Sequence, residues 1–329
     1  VMCFDTDLFK VDINYFEHPN MVDIWIGKYA KENNIDIICA KHKRTFLKHL
    51  DIKDTIYLSA LKNDKIQTEL INTAFTYRNK IAICIPIYQR YEITDFVLNY
   101  YKELKNTLKN EMELILICCG SEGEITENLA RKNDFIYVEH DNLPLSQKLN
   151  ALYIKAGEYN PNACIKIDSD SIISIEFFKH YNDLINQKYD YAGIEDIYFL
   201  IKNYFCYWSG YTNYRKGETV GIGRFMSNKL LNQLNWKPWG NVEINRKLDS
   251  ELTKNIDVLN KTNLNFTKIR CDKINGMCID IKTDVGISDF KDFSFDLVLG
   301  IEDVKINIDF SSIYNYLSTH NIESIKLRK

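Results

Sequence analysis

A doubly wound α/β fold with a mostly parallel sheet is what the sequence predicts, on three observations. Short apolar runs of strand length recur between residues 80 and 167. Each is followed by a stretch whose apolar residues fall at helical spacing. The runs are apolar throughout rather than alternating, the pattern of strands covered on both faces by helices.

Taken in order, Ile81 to Tyr88 is the first such strand, and Phe96, Val97, Tyr100, Tyr101, Leu104 and Leu108 mark a helix over 93–108. Glu113 to Cys119 is a second strand, closed by the turn Gly120-Ser121-Glu122-Gly123. Helix 125–132, strand 135–139, helix 145–156, strand 163–167 and helix 172–181 continue the alternation, with a further helix at 228–234. Ligands in such sheets bind beyond the carboxyl ends of the strands. The first 78 residues have too few strands for a sheet of this kind: they read as helix 19–33, strand 35–40, a basic stretch 41–44 and a polar helix 66–74. Residues 291–329 alternate in short runs without an assignable role. The expected organisation is therefore an amino-terminal piece 1–78, a working domain 79–290 and an extension 291–329.

Composition narrows the function classes. Hydrophobic content of 45% and charged content of 26% in 329 residues describe a globular chain. A net charge of -3 with mixed signs argues against a nucleic-acid binder. Nine cysteines, an odd number without a Cys-x-x-Cys pair and mostly set in apolar runs, read as small buried hydrophobes in a reducing compartment. With no apolar run long enough to span a bilayer, the expectation is a cytoplasmic protein, with peripheral association at the inner face of a membrane as an option. Six scattered histidines give no zinc-hydrolase spacing, and no serine nucleophile elbow is present.

Asp168-Ser169-Asp170 follows the strand at 163–167 directly. Two carboxylates one residue apart at the carboxyl end of a buried strand suit Mg2+ or Mn2+, which take oxygen ligands together with substrate phosphates. The alternative is a helix cap ahead of 172–181. Gly221-Ile222-Gly223-Arg224 offers two glycines for close backbone approach and a guanidinium that can fork onto hydroxyls or phosphate; the alternative is a plain turn before helix 228–234. Trp208, Trp236 and Trp239 suit stacking on sugar rings or, equally, a place in the core.

Several segments in register resemble family 2-like glycosyltransferases of the GT-A fold, of the bacterial surface-glycan type. They are IAICIPIYQR (81–90), DNLPLSQKLNALYIKA (141–156), CIKIDSDSIIS (164–174), GETVGIGRFMSNKLLNQLNWKPW (217–239) and NRKLDSELTK (245–254). The resemblance implies a metal-dependent, inverting transfer of a sugar from a nucleotide-diphosphate donor, a UDP-sugar by default, to a glycan or lipid-linked acceptor in surface polysaccharide synthesis. It places Pro86, Tyr88, Arg90, Ser121 and Glu122 around the nucleoside, and Lys148 on a helix facing the phosphates. A solvated helix face is the other reading of Lys148. Asp168 then contacts ribose and metal, Asp170 coordinates the Mn2+ or Mg2+, and Gly223 and Arg224 meet the sugar. Asp249 is the catalytic base, with Glu251 and Glu243 behind it and a helix cap as its alternative. The family's Glu-Asp pair reads Leu248-Asp249 here, and Ser121-Glu122 stands where an Asp is usual. Residues 20–44 look like the closing part of another GT-A domain, with Asp23 at its base position and His42 as a phosphate or metal contact; a helical appendage is the alternative. Two other functions are carried forward: a non-catalytic carbohydrate-binding scaffold, and a sugar-nucleotide nucleotidyltransferase, which should bear a glycine-rich phosphate loop after the first strand.

Overall fold

The computed structural model describes residues 10–16, 22–33, 35, 37, 68, 71, 78–201, 204–259, 264–282 and 295–300. The chain divides between Tyr77 and Arg78 into two compact units. In the first, helix α1 (Val22–Glu32) buries Ile24, Trp25, Ile26 and Ala30 among Tyr15, Phe16 and Tyr29. Asp23 is exposed in its first turn. Of the expected strand 35–40 only Ile35 and Ile37 are described, and the basic stretch with His42 and most of 66–74 lie outside the described residues.

The second unit alternates strands and helices as expected. β1 (Lys80–Pro86), α2 (Tyr91–Leu108), β2 (Glu113–Gly120), α3 (Glu124–Lys132), β3 (Ile136–Glu139), α4 (Leu145–Gly157) and β4 (Ala163–Lys166) come first. Then follow β5 (Ser171–Ile173), α5 (Ile175–Asn186), β6 (Tyr191–Ile194), β7 (Ile197–Ile201), β8 (Tyr204–Trp208), β9 (Arg224–Ser227) and α6 (Asn228–Gln233). α7 (Leu248–Leu259), β10 (Phe266–Ile269), α8 (Cys271–Ile274), β11 (Cys278–Ile281) and β12 (Leu297–Gly300) complete the described elements.

Seven strands form the main sheet in the order β10-β6-β9-β4-β1-β2-β3. All its pairings are parallel except the two made by β9. Both faces are covered, which explains the unbroken apolar runs. Along β1, Ile81, Ile83 and Ile85 enter one core with the aromatic side of α2 and α5, while Ala82 and Cys84 enter the other beneath α4 and Trp239. β2 divides the same way, so the adjacent Cys118 and Cys119 lie in opposite cores. Seven described cysteines are free and buried. Burial pushes the Cys119 thiol up to about 12, so it stays protonated and inert.

A second sheet, ordered β12-β8-β7-β11-β5, differs from the expectation at two points. Residues 171–173 form a strand, and the helix begins only at Ile175, with Ser174 at the cap position. The β-branched pair Ile172-Ile173 finds a hydrogen-bonding edge in β11, an interaction that helical spacing alone does not reveal. Asp168 and Asp170 therefore do not cap a helix. Beyond residue 290, β12 pairs with β8, and Asp296 accepts a hydrogen bond from Ser209 N at 2.7 Å. This part of the expected extension thus belongs to the second sheet. Among the described residues no helix is long and apolar enough to cross a membrane.

Replacing Ile83, which is wholly buried, by Ala should cost about 2–5 kcal/mol through lost transfer energy and the cavity left behind. Ile125→Ala, at a side chain 57% exposed, should stay within about 0.5 kcal/mol. Urea unfolding of both variants measures the contrast.

Candidate active site

β1 turns one way to β2 and β3 while β4 lies on its other side, so the crevice beyond β1 and β4 is the switch point of the sheet. The register sets Cys84 opposite Lys166, and both chains leave the sheet together. From β1 comes the loop Ile87 to Arg90, in which Gln89 and Arg90 both have φ of 50°. From β4 comes Ile167 to Asp170. Arg90, at the start of α2, forms an ion pair with Asp170 and donates to Ser169 Oγ at 3.0 Å. Lys166 Nζ donates to Asp168 Oδ1. Each carboxylate of the Asp-x-Asp pair thus has its own cation.

A third carboxylate lies nearby. β11 sets Asp280 opposite Ser171, and Ile281 N donates to Asp170 O at 2.8 Å. Lys282 Nζ donates to Asp280 Oδ2 at 2.6 Å, while buried Oδ1 has no partner. Burial, and then Asp170 beside it, push this carboxyl up to about 7. Among the described residues no three of His, Cys, Asp and Glu converge into a metal cage. The oxygen-only pair Asp168 and Asp170 does fit the class of site in which Mg2+ or Mn2+ is held by one or two carboxylates and completed by phosphates.

The loops that follow β1, β2 and β3 are organised by Lys148. Its side chain is fully buried in α4, which rules out the solvated helix face. Its ammonium donates to Ile87 O at 2.7 Å, Asn142 Oδ1 at 3.1 Å and Ser121 Oγ at 3.2 Å, tying together the segments after β1, β2 and β3. It also lies 5.7 Å from the centre of the Tyr88 ring. Burial lowers its pKa. Glu122 is likewise engaged: it accepts from Gln89 N and from Tyr91 Oη, both at 2.7 Å. Pro86 ends β1 opposite Cys119, and Tyr88 remains 40% exposed.

On the far side, Gly223 has φ of 69° and a Cβ there would meet Ile194 Cδ1 at 2.3 Å, so packing alone demands glycine. Arg224 is buried, and its fork is directed inward, to Val220 O at 3.1 Å, Thr219 O at 3.3 Å and Asp249 Oδ1 at 2.9 Å. Lys166 and Arg224 face each other across β4 and β9, two like charges directly opposite. Asp168 on one and Asp249 on the other offset that repulsion. Asp249 lies within the first turn of α7 rather than at its cap. Glu251, two residues on, projects from a different side of the helix and pairs with Lys254. Glu243 is exposed in the preceding loop. Trp208 and Trp239 are core residues, and Trp236 packs on Gly157.

Sequence reasoning missed Lys166 and Asp280. Lys166 shares a strand face with Asp168 by simple alternation, and Asp280 is a lone acid inside an apolar strand, so both left a faint signal.

No protein-family model matches the chain, nor does any curated protein. Its fold is similar to solved structures at low identity. S. aureus TarS 1-349 is 14% identical, with 54% of this chain and 55% of that one covered at a TM-score of 0.40. The chain thus matches about half the length of that TarS chain. A cytidylyltransferase from Leptospira borgpetersenii is 14% identical over 59% of this chain and 76% of that one, TM-score 0.37. A Drosophila galactosyltransferase 7 mutant in complex with manganese, UDP-Gal and xylobiose is 12% identical over 58% and 64%, TM-score 0.34.

Because the pKa of Lys148 lies below the ordinary 10.5, the unfolded chain holds that proton more firmly than the native one. The penalty for burying the charge is therefore full at neutral pH and is relieved as pH rises towards 10.5. Stability measured by denaturant across that window should rise more steeply in the wild type than in Lys148→Met; parallel profiles would contradict the assignment.

Proposed function

We propose that the chain is a metal-dependent glycosyltransferase that moves a sugar from a nucleotide-diphosphate donor to a hydroxyl of a glycan acceptor, with inversion. The observation that carries this reading is the meeting of Arg90, Lys166, Asp168 and Asp170 at the switch point of the sheet. There two carboxylates and two cations can share a diphosphate and its counter-ion. Mn2+ or Mg2+, held by Asp168 and Asp170, would supply neutralisation of the leaving diphosphate. Arg90 and Lys166 are already placed to turn from the carboxylates to phosphate oxygens. Tyr88, on the loop fixed by Lys148 and Glu122, offers its exposed ring to the base. Pro86 and Ser121 shape the same pocket.

Asp249 accepts the proton of the acceptor hydroxyl as its oxygen attacks the anomeric carbon, and the bond to the diphosphate breaks with its electrons onto the leaving group. Arg224 fixes this carboxylate from within the core, which favours Asp249 over Glu251 and Glu243. A nucleotidyltransferase is disfavoured, because the loop after β1 reads Ile87-Tyr88-Gln89-Arg90 without a glycine. The non-catalytic scaffold is favoured by one observation, that Glu122 is engaged by Gln89 and Tyr91 and not open to a base. The UDP donor, the glycan or lipid-linked acceptor, work at the inner face of a membrane, a role in surface polysaccharide synthesis, and residues 1–78 as the remnant of a preceding transferase domain follow from the sequence resemblance and extend this proposal.

Thermal unfolding with a panel of nucleoside diphosphates, each with and without Mn2+, tests the proposal. A ligand at about a hundred times its Kd adds about 2.7 kcal/mol of stability. The expected result is a Mn2+-dependent shift with one nucleotide that disappears in Asp170→Ala. No shift with any nucleotide would reject the transferase and leave the scaffold reading.

A further inference from the structure

Behind the Lys166–Arg224 pair lies a cavity of about 40 Å3 that the roles above leave unused. Its polar lining is Tyr153, Lys166, Arg224 and Asp249, and its apolar walls include Met226, Trp239 and Leu252. Tyr153 is completely buried and its hydroxyl has no hydrogen-bond partner in the protein. A phenol oxygen without a protein partner in a cavity of this kind bonds ordered water or a ligand group that displaces it. Asp249 is 42% exposed, and Gly221 lines the cavity with it.

Size, charge and wall chemistry define that occupant. One water needs about 10–15 Å3 of such space, so the cavity takes roughly three or four non-hydrogen atoms. The two cations are matched by Asp168 and Asp249, so the occupant is uncharged. It carries a polar atom for Tyr153 and an apolar end for Met226, Trp239 and Leu252. A hydroxyl is too small, and a hydroxymethyl group lacks the apolar end. An acetamido group has four non-hydrogen atoms, a carbonyl that accepts from a phenol, and a methyl.

Position agrees with this. Lys166, which holds Asp168, and Asp249 both line the cavity, and both lie beside Gly221. Under the proposed function, on which this inference rests, the transferred sugar lies between those two carboxylates. We propose that the cavity receives the acetamido substituent of the donor sugar, so that the chain uses a nucleotide N-acetylhexosamine, in the uridine series UDP-N-acetylglucosamine or its epimer. Gly221 lines the cavity beside both groups: a Cβ there would lie 3.4 Å from Asp249 Oδ1 and 3.7 Å from Lys166 Nζ, which fits without strain but takes up space next to them.

Calorimetric titration of the full chain with UDP, UDP-glucose and UDP-N-acetylglucosamine in Mn2+ tests the inference. The wild type should bind the N-acetyl sugar nucleotide about tenfold tighter than UDP-glucose, the gain of roughly one good hydrogen bond with its methyl contacts. Tyr153→Phe, which removes a hydroxyl without a protein partner and so keeps the fold, should bring that ratio most of the way to one. Gly221→Ala should do the same by filling space beside Asp249 and Lys166. Equal affinity for the two sugar nucleotides in the wild type, with UDP itself bound, overturns this inference alone. So does an unchanged ratio in both variants. Failure to bind UDP at all overturns the uridine donor and this inference with it.

Discussion

Parallel pairing of β1 with β4, in the register that sets Cys84 opposite Lys166, is the constraint on which the rest of the site depends. Both strands are buried on both faces, so a one-residue slip would turn each apolar set into the wrong core. With the register fixed, the chains leave the sheet side by side. Arg90 then has to meet Asp170, and Lys166 has to meet Asp168. The second sheet acts on the same place from below: β11 pairs with β5 and holds the backbone of Asp170 through Ile281 N.

Charge is arranged in that crevice as a chain of neighbours rather than a single pair. Three ion pairs lie there, Arg90–Asp170, Lys166–Asp168 and Arg224–Asp249, and Lys166 and Arg224 stand opposite each other across β4 and β9. Arg224 is the one set deepest, and its remaining donors are satisfied by Val220 and Thr219 carbonyls. A buried guanidinium that ties two backbone carbonyls to Asp249 is a rigid mount for that half-exposed carboxylate. Lys148 plays the corresponding part beyond β1, β2 and β3, where one buried ammonium joins the Ile87 carbonyl to the side chains of Ser121 and Asn142.

Much of the fold was legible in the sequence, because burial on both faces leaves the same apolar run in strand after strand. β1, β2, β4 and the helices between them stand where periodicity puts them. The strand β5 was not legible: Ile172 and Ile173 suit a helix as well as a strand, and only the edge of β11, more than a hundred residues later, decides. The Asp-x-Asp pair could be found because it abuts a strand end. The engagement of Glu122, the burial of Lys148 and the Arg224–Asp249 pair could not, since each is set by a neighbour distant in the chain. Gly223 was legible as a special residue, but its reason is the side chain of Ile194 rather than a substrate.

On the proposed function, Asp168 and Asp170, each already paired with a cation and, among the described residues, not part of a three-ligand cage, bind a divalent ion only together with a diphosphate. Calorimetric titration of Mn2+ into the chain, with and without saturating nucleoside diphosphate, measures that coupling directly. The expected result is weak Mn2+ binding to the free chain and binding at least about tenfold tighter with the nucleotide, a coupling of about 1.4 kcal/mol or more. Equal Mn2+ affinity in the two titrations would contradict it.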